Sequence, residues 1–287
     1  MFKAFHDSSM SNLNRLCLKF LSLAALVVLI SGCQSAFYYP SPIQFYSPDR
    51  IGLKYEDVKF KTSAGDEIHA WYFATPQKES KGTVLFFHGN AQNLTSHFMM
   101  FYWLPKEGYN YMIFDYPGYG QSSGKPSPKS TLESGVAAAK WLRENKDTRP
   151  LIIYGQSLGG IIAMRTVKEI KDQQPIRNLI VDSSFSSYRK IGRRVLARSW
   201  VTWILQPLTY VALSDSYSPE PLSDFSPIPM LFIHGTDDPV IPFASSEDMF
   251  AAAREPKQFW TVPGGHHGDL FEVNNRELRQ KFLNYLQ

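Results

Sequence analysis

One serine carries the strongest chemical signal in the chain. Ser157 stands in Gly155-Gln156-Ser157-Leu158-Gly159, a G-x-S-x-G pattern. An apolar run at 151–154 precedes it and an apolar helical pattern at 158–171 follows. A strand that enters a helix through such a turn holds the serine hydroxyl clear of the backbone. Small residues two before and two after it permit the tight bend. The helix start also aims free N–H groups toward developing negative charge. The chemistry this arrangement supports is nucleophilic attack. A serine hydroxyl is a weak nucleophile, so a base and an acid must be sought elsewhere.

Both lie downstream, in the chain order nucleophile, acid, base. The apolar run 230–233 opens into His234-Gly235-Thr236-Asp237-Asp238-Pro239. Acids just past a strand's carboxyl end lie where open α/β sheets build their sites. Farther on, Gly264-Gly265-His266-His267-Gly268-Asp269 carries two imidazoles on a glycine-rich loop. The residues alone leave Asp237 and Asp238 open as the acid, and His266 and His267 open as the base. Asp182, at the end of its own apolar run, is a rival acid; before Ser183-Ser184-Phe185 it reads better as a partner of loop amides. His88 and His234 each precede a glycine at a strand end and read as structural, while His69 and His97 carry no motif. No helical His pair or Cys/His spacing suggests a metal, and no Lys-Ser/Thr follows Gly160 to make a phosphate loop. Neither metal nor cofactor is expected.

The elements that must position these groups follow from hydrophobic patterning. Short apolar runs at 83–87, 111–114, 151–154, 179–181 and 230–233 alternate with helical patterns at 97–106, 131–144, 158–171, 246–254 and 276–286. That alternation predicts an α/β fold, with a mostly parallel central sheet and helices on both faces. Two further strands, 53–61 and 67–74, turn at Ser63-Ala64-Gly65 as a hairpin. The stretch 186–225 interrupts the alternation and predicts a small inserted cap. There Lys190, Arg194 and Arg198 recur every four residues along one helix face, with Val195, Leu196, Trp200, Trp203 and Ile204 largely elsewhere. Such a helix either rests on an anionic membrane surface or closes as a lid. The preferred expectation is the lid, its apolar face over the site and its charges in water.

Four motifs in order make the pattern specific. Leu85-Phe86-Phe87-His88-Gly89-Asn90-Ala91, Phe114-Asp115-Tyr116-Pro117-Gly118-Tyr119-Gly120, the serine turn and the late acid and histidine loops together resemble the α/β-hydrolase superfamily, nearest to its Bem46-like branch. The resemblance runs from about Tyr55 to the C-terminus and is weakest over 186–225. It implies an α/β-hydrolase fold and an esterase-type serine hydrolase, with Ser157 as nucleophile. It selects Asp238, four residues after the histidine, as the acid. It selects His267 as the base, with His266 standing where the family usually has glycine. It further implies an oxyanion hole made by the backbone N–H groups of Asn90 and Leu158. A carboxylic ester or thioester, with a lipid-like or other acyl-chain substrate, is the expected partner. The alternatives are an aminopeptidase-like activity and a non-catalytic envelope lipoprotein that uses the fold for binding.

The first residues read as targeting rather than fold. Lys3, Arg15 and Lys19 precede an apolar run at 20–30 broken only by Ser22, and Ile30-Ser31-Gly32-Cys33 follows. The run is short for a membrane span and suits a signal peptide. The four residues resemble the bacterial lipobox, in which cleavage leaves a lipidated cysteine at the new N-terminus. The expected organisation is a lipoprotein signal peptide at 1–32, a Pro-, Ser- and Tyr-rich tether at 33–51, and a hydrolase domain at 52–287. Lipidation at Cys33 would attach the chain to a bacterial cell envelope; Gln34 points to the outer membrane if the cell is Gram-negative. Of the chain's 2 cysteines, Cys17 would leave with the signal, so no internal disulfide is expected. A length of 287 residues, with 44% hydrophobic and 20% charged, fits a globular protein. The formal charge of +4 forms no basic run, which argues against nucleic acid.

Overall fold

The computed structural model describes residues 37–146, 150–273 and 275–287. Cys33 and the expected signal segment lie outside the described residues. The strands are β1 (Glu56–Lys61), β2 (Glu67–Phe73), β3 (Thr83–Phe87), β4 (Asn110–Phe114), β5 (Leu151–Gln156), β6 (Ile176–Asp182), β7 (Met230–Gly235) and β8 (Lys257–Val262). The helices are α1 (Leu94–His97), α2 (Pro128–Asn145), α3 (Leu158–Ile170), α4 (Tyr188–Ala197), α5 (Trp200–Trp203), α6 (Thr209–Ala212), α7 (Ala244–Ala252), α8 (Leu270–Val273) and α9 (Asn275–Leu286).

All eight strands form one sheet in the order β1-β2-β4-β3-β5-β6-β7-β8. β2 pairs antiparallel with β1 and β4, and every other pairing is parallel. The alternation of side chains across a strand explains why the central runs are wholly apolar. Leu85, Phe87, Ile153, Leu179, Val181 and Phe232 pack on one face with Ala138 and Leu142 of α2 and Ile161 and Val167 of α3. Val84, Phe86, Ile152, Tyr154, Ile180 and Leu231 pack on the other with Phe98, Phe101 and, from α9, Phe282 and Leu286. Each fully buried large side chain contributes about 1.5–3 kcal/mol, so the two faces together hold the sheet rigid beneath the site.

Three segments differ from the sequence expectation. The helix expected at 97–106 is a short α1 capped by Asn93, followed by 3₁₀ turns at Phe98–Met100 and Leu104–Glu107. Phe98, Phe101 and Leu104 are all fully buried. Their spacing of three favours the 3₁₀ repeat, and Pro105 supplies no N–H to a longer helix. Residues 37–51, expected as a tether, lie along the loop after β3. Asn93 Nδ2 donates to the carbonyls of Ser41 and Ile43 at 2.7 Å each, and Tyr38 is buried.

The cap is turned opposite to the expected lid. Arg194 donates to Ser245 Oγ at 2.9 Å and pairs with Asp248 at 2.7 Å. Arg198 donates to the carbonyls of Pro239 and Val240, and Lys190 pairs with Glu220 at 2.8 Å. Trp200 and Ile204 are instead 87% and 71% exposed. The cationic stripe is the docking face because α7 and the loop after β7 present carboxylate and carbonyl acceptors to it, and charge-assisted bonds are the stronger kind.

Candidate active site

Ser157 sits between β5 and α3 with φ 55° and ψ −121°, a left-handed conformation that a serine adopts only under constraint. Its N–H donates to Asp182 O at 2.8 Å, and its carbonyl accepts Ser184 Oγ–H at 2.6 Å, so the end of β6 holds the turn in place. The flanking glycines are needed for space rather than flexibility. A Cβ on Gly159 would lie 2.0 Å from Phe87 O, and one on Gly155 would lie 2.5 Å from Gly159 O. Close approach of α3 to β3 therefore depends on Gly159, and its close approach to β5 on Gly155.

Asp238 and His267 converge on this serine from the loops after β7 and β8. His267 Nε2 lies 2.9 Å from Ser157 Oγ, and His267 Nδ1 lies 2.7 Å from Asp238 Oδ2. The other Asp238 oxygen accepts the N–H groups of Val240 at 2.7 Å and Ile241 at 2.9 Å, which fixes the carboxylate's orientation. The Asp238 side chain is fully buried, and that of His267 is 17% exposed. Burial alone would raise the Asp238 carboxyl. Hydrogen bonds from His234 and His267, the charge of His267 and the Ile241 N–H outweigh it and hold the carboxyl well below the usual carboxylate range. An ionised Asp238 makes Nδ1 of His267 the protonated nitrogen. Nε2 is then left to accept the Ser157 hydroxyl proton.

The rival residues go elsewhere. His266 is exposed and lies 3.5 Å from Asp269 Oδ2. Asp237 is exposed and accepts Thr236 Oγ1–H at 2.8 Å. Asp182 was expected to bind loop amides; its Oδ2 instead accepts Tyr154 O–H at 2.6 Å. Burial pushes the Asp182 carboxyl up, against hydrogen bonds from Tyr154 and Ser183 and the charges of His267 and His234. His234 is structural and close to the triad. Its Nε2–H donates to Ile241 O at 3.0 Å, its Nδ1 accepts Ser246 O–H at 2.6 Å, and Nε2 stands 3.3 Å from Asp238 Oδ2.

Asn90 follows β3 on the same carboxyl edge of the sheet. The N–H groups of Asn90 and Leu158 donate to no acceptor in the loops and turns among the described residues. The side chain of Asn90 has a separate task, accepting Tyr119 O–H at 2.7 Å, Tyr39 N–H at 2.9 Å and Ala91 N–H at 2.8 Å. Tyr116 O–H donates to His88 O at 2.8 Å, and buried Asp115 accepts Leu94 N–H at 2.7 Å. The aromatic-glycine turn after β4 thus positions the loop carrying Asn90. Sequence reading missed this role, although the motif itself was the signal.

A cavity of about 360 Å³ is lined in part by Gly268, the residue after His267. Its lining is mixed: Met99, Met100, Tyr102 and Phe271 on one hand, Ser96, His97 and the cation of Arg279 on the other.

An eight-stranded, mostly parallel sheet with a serine at the strand-to-helix turn and an Asp–His pair on the loops of its carboxyl edge defines the α/β-hydrolase fold. Residues 78–224 match the Hydrolase_4 family, described as serine aminopeptidase, S33. The chain belongs to this α/β-hydrolase family. It is 34% identical over 283 residues to YfhR of Salmonella typhi, an uncharacterized protein, with 93% of this chain and 92% of the relative covered. It is 26% identical over 249 residues to the lysophosphatidylserine lipase ABHD12 of Xenopus tropicalis, covering 80% of this chain and 63% of that one. Among solved structures, an esterase of Pyrococcus furiosus superposes with a TM-score of 0.69 at 20% identity, over 87% of this chain and 97% of the other.

Proposed function

We propose that this protein is a serine hydrolase that cleaves a carboxylic ester or thioester through a covalent acyl-enzyme. Within the superfamily it is assigned here to the Bem46-like branch. The observation that carries the reading is the continuous hydrogen-bonded line from Ser157 Oγ through His267 to buried Asp238. As Ser157 Oγ attacks the acyl carbonyl carbon, His267 Nε2 takes its proton and Asp238 stabilises the resulting imidazolium. The N–H groups of Asn90 and Leu158 receive the oxyanion. His267 then returns the proton to the departing alcohol or thiol. Water repeats the sequence on the acyl-enzyme and releases the carboxylic acid. Each oxyanion donor is worth about two to three powers of ten in rate.

The cavity beside Gly268 offers Met99, Met100 and Phe271 to an acyl chain, and Ser96, His97 and Arg279 to its polar end. The lipase activity named for the Xenopus relative agrees with such a substrate. The family description favours a second reading, cleavage of a peptide's N-terminal residue. A panel of p-nitrophenyl esters from short to long acyl chains, run beside aminoacyl p-nitroanilides, separates them. Turnover of the esters, absent in Ser157→Ala, is expected. Turnover of the anilides alone would replace the esterase reading with the peptidase, and turnover of neither would remove both.

The sequence 30–33 supports attachment to the bacterial envelope through a lipid on Cys33. Cells fed radiolabelled palmitate should label the chain, and Cys33→Ala should abolish the label. Equal labelling of the two would contradict this attachment site.

A further inference from the structure

The cap presents an apolar surface that nothing within the described residues covers. Trp200, Val201, Trp203, Ile204, Tyr210 and Val211 are each between 56% and 87% exposed. Leaving six such side chains in water over twelve residues is unusual for a soluble face, and large apolar patches of this kind mark interaction surfaces. Three of the six are Trp or Tyr, whose rings are apolar with a polar edge and suit the boundary between lipid chains and headgroups.

Three further observations identify the occupant. First, the chain arrives at this surface from its N-terminal side. Phe37 packs on Phe185 and Tyr188, and it forms one wall of an apolar groove of about 390 Å³ with Val195, Leu196, Leu205 and Leu208 of the cap. Phe37 lies four positions, and so four Cα–Cα steps, after Cys33. At full extension they span about 14 Å, so an anchor at Cys33, or an apolar anchor ending at Ile30, keeps a bilayer close to the cap. Second, residues 183–214 contain Arg189, Lys190, Arg193, Arg194 and Arg198 and no Asp or Glu. On the exposed face itself Arg193 donates to Tyr210 Oη at 2.8 Å, which sets a guanidinium beside the apolar side chains and favours an anionic lipid surface. Third, Arg194 and Arg198 fasten α4 to α7 and to the carbonyls of Pro239 and Val240, so the exposed apolar side is a fixed outer face.

We infer that the outer face of the cap, from Trp200 to Val211, inserts into the headgroup boundary of an anionic bilayer. The domain then sits with its cap against the membrane rather than hanging free from its anchor. The inference does not depend on the catalytic reading.

Tryptophan quenching tests it on the full chain, reconstituted into vesicles of phosphatidylcholine and phosphatidylglycerol with brominated acyl chains. Flotation of the vesicles measures attachment separately. Emission from two of the chain's 6 tryptophans should be quenched, and Trp200→Phe with Trp203→Phe should abolish the quenching while flotation stays unchanged. Both side chains are exposed, so the double variant is expected to fold, which circular dichroism checks. Wild-type chain that floats without quenching, or quenching that survives in the double variant, would overturn the inference. So would disulfide-linked dimers of Trp203→Cys on vesicles without wild-type quenching, since they would make this face a seam between two copies.

Discussion

Ser157→Ala is expected to lower kcat for ester hydrolysis by about six powers of ten, and His267→Ala by a similar factor. The two side chains act as one device. With Ser157 Oγ 2.9 Å from His267 Nε2, removing either leaves no activated nucleophile, so the double variant should be scarcely worse than each single one. The residue of catalysis that survives would come from the N–H groups of Asn90 and Leu158 and from substrate binding. Initial rates on the best p-nitrophenyl ester measure this. Additive losses in the double variant would mean that the serine and the histidine work independently.

Asp238→Asn is expected to lower kcat by about four powers of ten while leaving the fold intact. An asparagine can still accept from Val240 and Ile241. It cannot hold His267 in the Nδ1-protonated tautomer, nor stabilise the imidazolium. Asp182→Asn is the paired control. Asp182 Oδ2 accepts Tyr154 O–H, a bond an asparagine carbonyl can keep, so kcat should change by no more than a few-fold. Equal losses in the two variants would overturn the choice of acid. The pH dependence follows the same logic. The Asp238 carboxyl is held below its unfolded value, so its contribution to stability is present above that unfolded value and is lost only as pH falls through the lower folded one. Mild acid therefore leaves Asp238 ionised, and any activity lost there arises elsewhere in the site.

Most of the sheet was legible because burial on both faces makes its central strands read as short, wholly apolar runs. β8 was not among the runs identified. It is an edge strand whose residues Lys257, Gln258 and Thr261 face solvent or lie half-buried, so no apolar run announces it. The order of serine, acid and histidine was legible from the residues, whereas only the family resemblance chose Asp238 and His267 over their neighbours. His266 and His267 differ by one position on a loop, and the residue types alone do not say which ring faces Ser157. The cap shows a further limit. A helix with cations on one side and aromatics on another has the same pattern whichever side docks. The acceptors that decided it, Ser245, Asp248 and the carbonyls after Asp238, are distant in sequence. The docked course of residues 37–51 was hidden for the same reason, since its partners are Asn90, Asn93 and Thr95.

The central claim is an activated serine at position 157. Labelling of the purified full chain with a fluorophosphonate probe, followed by mapping of the modified residue, tests it most directly. One adduct is expected, on Ser157, absent in Ser157→Ala, nearly absent in His267→Ala and retained in His266→Ala. A folded wild-type chain that takes up no probe, or takes it up equally well without Ser157, would contradict it.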